Sequence, residues 1–267
     1  MADFVNTIDV LGDDAVADGI INRTIKEFKD DSVLTLGENA LYKCTSLETV
    51  DFPNVKSAKK NAFSECTSLV NVSLPSLETS NMQLFQNCTR LKSVSLPAHT
   101  GPLNYTFMGC SALESIDIPK ATYVAGNFIG GSAITKLRLP SVVTAGNGAF
   151  RECAKLTMVD LPVCTSIAAY ALYNLPSLKT VVLRKNSVCA LNDMTALGMP
   201  NGRNTAVYIY VPSALIDSYK AAANWSTFAD QFRSLEEWTV DGTVTGELSD
   251  RIYSVCGDFL CGEAVCG

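Results

Sequence analysis

Ten cysteines and a single histidine are the side chains of this 267-residue sequence that suggest chemistry. A thiol beside an imidazole makes a nucleophilic thiolate, and clustered thiols hold zinc. Their spacing argues against both. Cys44, Cys66, Cys88, Cys110 and Cys153 occupy one position of a pattern that recurs about every 22 residues, and that position alternates with other apolar slots. These are expected to be buried free thiols, with Cys164 and Cys189 read the same way. His99 stands in an irregular stretch, and a catalytic thiol could reach it only by leaving the interior. Cys256, Cys261 and Cys266 form a five-residue series without the paired CxxC spacing of zinc sites. They read either as incidental residues of a tail or as points of attachment to a partner. No G-x-S-x-G elbow, phosphate-cradling glycine loop or H-E-x-x-H is present. Asp51, Asp117 and Asp160 share one outward strand position that serine, arginine or valine fills elsewhere, so they read as a solvated face. The expectation is a protein that is not an enzyme and carries no cofactor and no metal.

The elements that position these residues come from the repeat. Pro53, Pro75, Pro97, Pro119, Pro140 and Pro162 follow one another at steps of 22, 22, 22, 21 and 22 residues, with Arg184 taking the same place 22 further on. Ahead of each runs L-x-x-V-x-L, as in Leu69, Val72 and Leu74, from Leu47 to Leu183. Alternation over its last four residues is the period of a strand. Further upstream each unit has a second apolar pair: Leu41 with Cys44, Phe63 with Cys66, Phe85 with Cys88, Phe107 with Cys110, Phe128 with Gly131, Phe150 with Cys153, and Leu172 with Leu175. One such unit cannot bury enough surface to offset the entropy of ordering its backbone. Stacked units can, which is the logic of a solenoid.

Units of the form Ala62-Phe63-Ser-Glu-Cys66-Thr-Ser-Leu69-x-x-Val72-x-Leu74-Pro75 resemble the leucine-rich repeats of BspA type. The resemblance runs from about Leu36 to Leu183, and Tyr208–Pro212 through Trp225 is similar to the C-terminal end unit of such proteins. It implies an α/β, β-rich fold: a right-handed leucine-rich-repeat solenoid of about seven coils with helical N- and C-terminal caps. The family occurs on bacterial surfaces and in some phage and protist proteins, so it also implies recognition or adhesion.

Along the chain, residues 1–33 are expected to form an N-terminal cap whose helix runs from Asp13 to Phe28, and residues 34–187 the solenoid. Residues 188–240 should be a protruding loop and a C-terminal cap, with helices from Ser213 to Ala223 and around Thr227 to Leu235, and residues 241–267 a tail. Pro97-Ala-His99-Thr-Gly101-Pro102 is rich in turn formers and should replace a local strand by a loop. The unit with Gly126, Gly130 and Gly131 is one residue short.

A net charge of −6 with scattered lysines and arginines argues against a nucleic-acid partner, which needs a basic stripe. No apolar run reaches the ~18 residues of a membrane span. The opening Met1-Ala-Asp-Phe-Val-Asn-Thr lacks the regions of a secretory leader. That leaves a virion-borne or surface-displayed protein, a cytoplasmic one, or one separated from its leader. The candidate binding surface is the outward side of the repeated strands: Asp51, Asn71, Ser73, Ser93, Ser95, Ser115, Asp117, Lys136, Arg138 and Asp160. Short hydroxyls and amides at strand spacing suit a protein or glycan ligand. The alternative is a structural spacer in a homo-oligomer or virion, held by its termini.

Overall fold

The structure is a computed structural model and describes residues 10–12, 24–237, 239–240 and 243–244. It is a solenoid of about nine turns, built from two rows of short parallel strands. The outward row consists of Glu27–Lys29, Thr49–Asp51, Asn71–Ser73, Ser93–Ser95, Ser115–Asp117, Lys136–Arg138, Met158–Asp160, Thr180–Val182 and Tyr208–Val211. The second row includes Val10–Leu11, Thr35–Leu36, Ser57–Ala58 and Thr79–Ser80, and resumes at Leu103–Asn104 to end at Ala190–Leu191. Strands pair mostly residue to residue at the repeat interval, as in Asn71↔Ser93↔Ser115.

The solenoid has more coils than the seven expected. Glu27–Lys29 pairs with Thr49–Asp51, so the expected helix does not extend through Phe28, and its residues 13–23 lie outside the described part. Ile25-x-x-Phe28 is a shortened copy of the L-x-x-V signature, and the Phe28 ring meets Phe52 at 5.3 Å. It lacks the downstream apolar residue and proline, which is why the pattern did not reveal it. At the other end Tyr208–Val211 adds a coil, and Phe232–Ser234 pairs alongside it. The expected helix from Thr227 to Leu235 is instead a 3₁₀ segment, Trp225–Gln231, followed by that strand. The helix from Ser213 is a 3₁₀ turn, Ser213–Leu215, continued by Ile216–Ala221.

The interior is one continuous column. Phe63, Phe85 and Phe107 are fully buried and stack at 5.1 and 5.7 Å with rings within 10° of parallel. Beside them run the thiols, all buried and free. Three donate to a carbonyl one coil back: Cys66 Sγ to Leu41 O at 3.0 Å, Cys88 to Phe63 O at 3.1 Å and Cys110 to Phe85 O at 3.0 Å. Those carbonyls also accept the N–H of their own coil's cysteine, so a small side chain with a weak donor fits the slot. In the short coil the pair is Ile129 with Ser132, not Phe128 with Gly131. Cys153 Sγ points to Ile129 O and Ser132 N–H to the same carbonyl. The missing residue falls after Ser132, whose buried hydroxyl makes no hydrogen bond; oxygen on its shorter bond does not take over the role of sulfur.

Seven of the coils turn two of their corners through left-handed backbone. One row holds Asn39, Asn61, Gln83, Tyr105, Asn127, Gly148 and Tyr170, and the other Lys43, Glu65, Asn87, Gly109, Gly131, Glu152 and Asn174, with φ between 49° and 78°. The conformation costs a residue with a β-carbon roughly 1–2 kcal/mol, and asparagine tolerates it best. It aims the corner N–H along the stack, as from Asn127 to Gly148 O at 2.8 Å.

The second row of strands breaks between Thr79–Ser80 and Leu103–Asn104, where the turn formers from Pro97 to Pro102 were expected to displace a strand. His99 fills the break. Its ring is fully buried, Nε2 shares a hydrogen bond with Ser80 Oγ at 2.9 Å, and Nδ1 has no partner. Burial pushes the imidazole down from 6.5 to about 4. The folded state therefore resists a proton that the unfolded chain accepts below pH 6.5, and stability falls as pH drops from there toward 4. At 1.36 kcal/mol per unit the loss reaches about 3 kcal/mol. Urea unfolding at pH 7.5 and pH 4.5 should show His99→Gln losing about 2–3 kcal/mol less than the parent over that interval; equal losses would contradict a buried neutral imidazole.

Candidate functional site: the outward strand face

The alternation that buries Val72, Val94 and Ile116 turns the residues on either side outward. Register then sets Asn71, Ser93 and Ser115 in one file and Ser73, Ser95 and Asp117 in the next. Side chains in these files bond across coils: Ser93 Oγ donates to Asn71 Oδ1 at 2.6 Å, and Ser95 Oγ to Asp117 Oδ2 at 3.0 Å. Short groups on a rigid ladder are thereby held in fixed orientations. Asp51, Asn71, Ser73 and Lys136 are exposed, and Ser93, Ser95, Ser115, Asp117 and Arg138 half-buried.

Asp160 does not belong to this surface. It is 1% exposed, contrary to its reading as part of a solvated face. Arg184, in the place of the repeat's proline, grips its carboxylate through Nε at 3.1 and 3.2 Å and Nη2 at 3.1 Å. Arg138 Nε lies 4.0 Å away. Burial pushes the Asp160 carboxyl up, while Arg184 and then Arg138 pull it back. The cover comes from the chain after the last coil. Leu235 packs with Val182, Met158 and Tyr210, and the Arg233 guanidinium lies 4.4 Å from the centre of the Tyr208 ring. The file of Asp160 and Val182 is thus closed at the C-terminal end, while in the neighbouring file Met158 and Thr180 are half-buried and Tyr208 is exposed. Arg184, Arg233 and Leu235 were not identified in the sequence. Only the arginine in place of a proline hinted that the last coils differ.

His99 has Ser80 as its partner, but both are buried and no carboxylate orients the ring, so the pair lacks access and the third group of a triad. Among the described residues no three His, Cys, Asp or Glu side chains gather as metal ligands. Among them also, no helix is long and apolar enough to cross a membrane. Cys256, Cys261 and Cys266 lie outside the described residues.

Comparison with known proteins bears on the repeat. No curated protein matches the chain. Among solved structures it is similar to a leucine rich cell surface protein from Faecalibacterium prausnitzii A2-165, with 20% identity over 74% of this chain and a TM-score of 0.49. It is also similar to the T. pallidum leucine rich repeat protein, with 20% identity over 65% of this chain and a TM-score of 0.42. A third likeness is to the pneumococcal vaccine antigen PcpA, with 16% identity over 78% of this chain and a TM-score of 0.44. The chain spans 65% of the length of each of those three. The family model described as BspA type leucine rich repeat region (6 copies) matches residues 24–105 and 103–194. With its thiol column, stacked phenylalanines and 22-residue coils covered by that match, the chain belongs to the BspA type leucine-rich repeat family.

Proposed function

We propose that this protein is a recognition module that presents the open part of its outward face, from Asp51 to Lys136, to a protein loop or glycan on a bacterial surface. The observation that carries this is the contrast along one ladder. At the C-terminal end the file of Asp160 and Val182 is buried, with Arg184 on the carboxylate and Leu235 on Val182, while Asn71 is exposed, Ser93, Ser95 and Asp117 are half-buried, and cross-coil hydrogen bonds hold them. A preorganised polar array loses little freedom on binding, so its contacts convert to affinity. Membership of the family supports display on a cell or virion surface, and that compartment is part of the proposal.

The test is whole-cell binding by the parent and by Ser93→Arg/Ser95→Arg, which places long charged side chains over the array and leaves the core untouched. We expect at least a tenfold loss of binding, about 1.4 kcal/mol, with a thermal midpoint lowered by only the few degrees that two surface hydrogen bonds are worth. Full binding by the variant would remove the outward face from the function.

A further inference from the structure

Seven coils place a residue in the first left-handed corner row, and five of them use asparagine, glutamine or glycine. The other two use tyrosine, Tyr105 at φ 53° and Tyr170 at φ 58°. A bulky aromatic residue suits that backbone poorly, and burial does not compensate, since each remains 41% exposed. The coil geometry explains the backbone but not the choice of tyrosine for it, and a bulky residue kept at a strained position is grounds for suspecting function. A neighbouring glycine gives the first ring room: a β-carbon on Gly126 would lie 2.7 Å from Tyr105 Cε2.

Between the two tyrosine slots the row carries only Asn127 and Gly148. Three coil steps of about 4.8 Å separate Tyr105 from Tyr170 by about 14 Å along the axis. The strip is also electrically quiet. Arg151 Nη2 pairs with Glu152 Oε1 at 3.0 Å, and Arg151 lies 5.8 Å from the ring centre of Tyr173, which meets Tyr170 edge-on at 5.3 Å.

We propose that this corner is a second binding site, separate from the outward face, and that it takes a neutral oligosaccharide. A pyranose presents a face of polarised C–H bonds to the electron-rich face of a tyrosine ring. Its hydroxyls both donate and accept, which the side-chain amide of Asn127, in the row, and that of exposed Asn147, whose carbonyl accepts from Gly126 N–H at 2.8 Å, match. A short chain of sugars laid along the axis spans the distance between Tyr105 and Tyr170. A charged peptide finds no spare charge here, because Arg151 and Glu152 answer each other.

The test uses the full chain on an array of neutral and acidic glycans, with titration calorimetry on whatever neutral glycan it retains. The variant is Tyr105→Asn/Tyr170→Asn, which installs the residue that the same corner uses in other coils. It should unfold at the same temperature as the parent or higher, so lost binding cannot be blamed on misfolding. Neutral glycans should bind the parent, and the double variant should bind them at least tenfold more weakly. The proposal is overturned if the array retains no neutral glycan, if the double variant binds as the parent does, if only acidic glycans or proteins are bound, or if Ser93→Arg/Ser95→Arg alone abolishes glycan binding. That last result would transfer the glycan to the outward face, whereas cell binding lost only in the serine variant leaves both sites standing.

Discussion

Phe85→Ala is expected to destabilise the protein by about 3–5 kcal/mol, the range for emptying a buried aromatic site. The ring is fully buried and stacks on Phe63 at 5.1 Å and on Phe107 at 5.7 Å. The same residue's N–H reaches Thr106 O at 2.9 Å, and its carbonyl accepts from Cys88 N at 3.2 Å and Cys110 Sγ at 3.0 Å. Those bonds hold the coils apart at a fixed spacing, so neighbouring coils cannot collapse into the void. A solenoid coil touches only its two neighbours, and no distant element can fill the gap. Phe85→Leu, which keeps most of the volume, should cost less than half as much. Urea titration followed by far-ultraviolet circular dichroism checks this, and a split transition would show that the cut falls between coils. A loss below about 1.5 kcal/mol for Phe85→Ala, less than full burial of such a side chain contributes, would mean that the stacked rings do not hold the column together.

Features written into a local interval were legible in the sequence. The proline and L-x-x-V-x-L rows gave the strands, and five cysteines at one interval gave a buried free-thiol column. The turn formers from Pro97 to Pro102 pointed to the break in the second strand row. Errors arose where one residue shifts the frame or where distant chain decides exposure. Gly131 looks like the cysteine slot because it lies 22 residues before Cys153, yet hydrogen bonding puts Ser132 there. Phe28 looked helical because the shortened signature around it lacks its proline. Asp160 looked solvated because alternation fixes only which way a side chain points, and Leu235, 75 residues later in the sequence, decides whether it meets water. Tyr105 and Tyr170 carried no signal at all. Their backbone strain follows from the corner geometry, which becomes visible only once the coils are aligned in space.

Asp160→Asn is expected to cost about 3 kcal/mol, because it leaves the Arg184 guanidinium buried without its counter-charge. Asp160 is 1% exposed and the Arg184 side chain 7%, so water reaches neither well enough to replace the lost partner. The two-pronged geometry, with Nε and Nη2 both within 3.2 Å of the carboxylate, is the form in which such a pair is strongest. Burial nevertheless disfavours the charged carboxylate, so the intact pair need not stabilise the fold relative to apolar residues. Asp160→Met/Arg184→Leu should therefore recover most of what Asp160→Asn loses, and Arg184→Leu alone should be costly because it strands the carboxylate. A double-mutant cycle of Asp160→Met, Arg184→Leu and the two together, read by urea unfolding, separates these terms. Additive losses would mean that the two side chains are solvated independently, and the closed end of the outward face would then be open to water. Recovery in the double variant would instead show that the site is closed to water and that burial of either charge alone, rather than loss of the pair, is what costs stability.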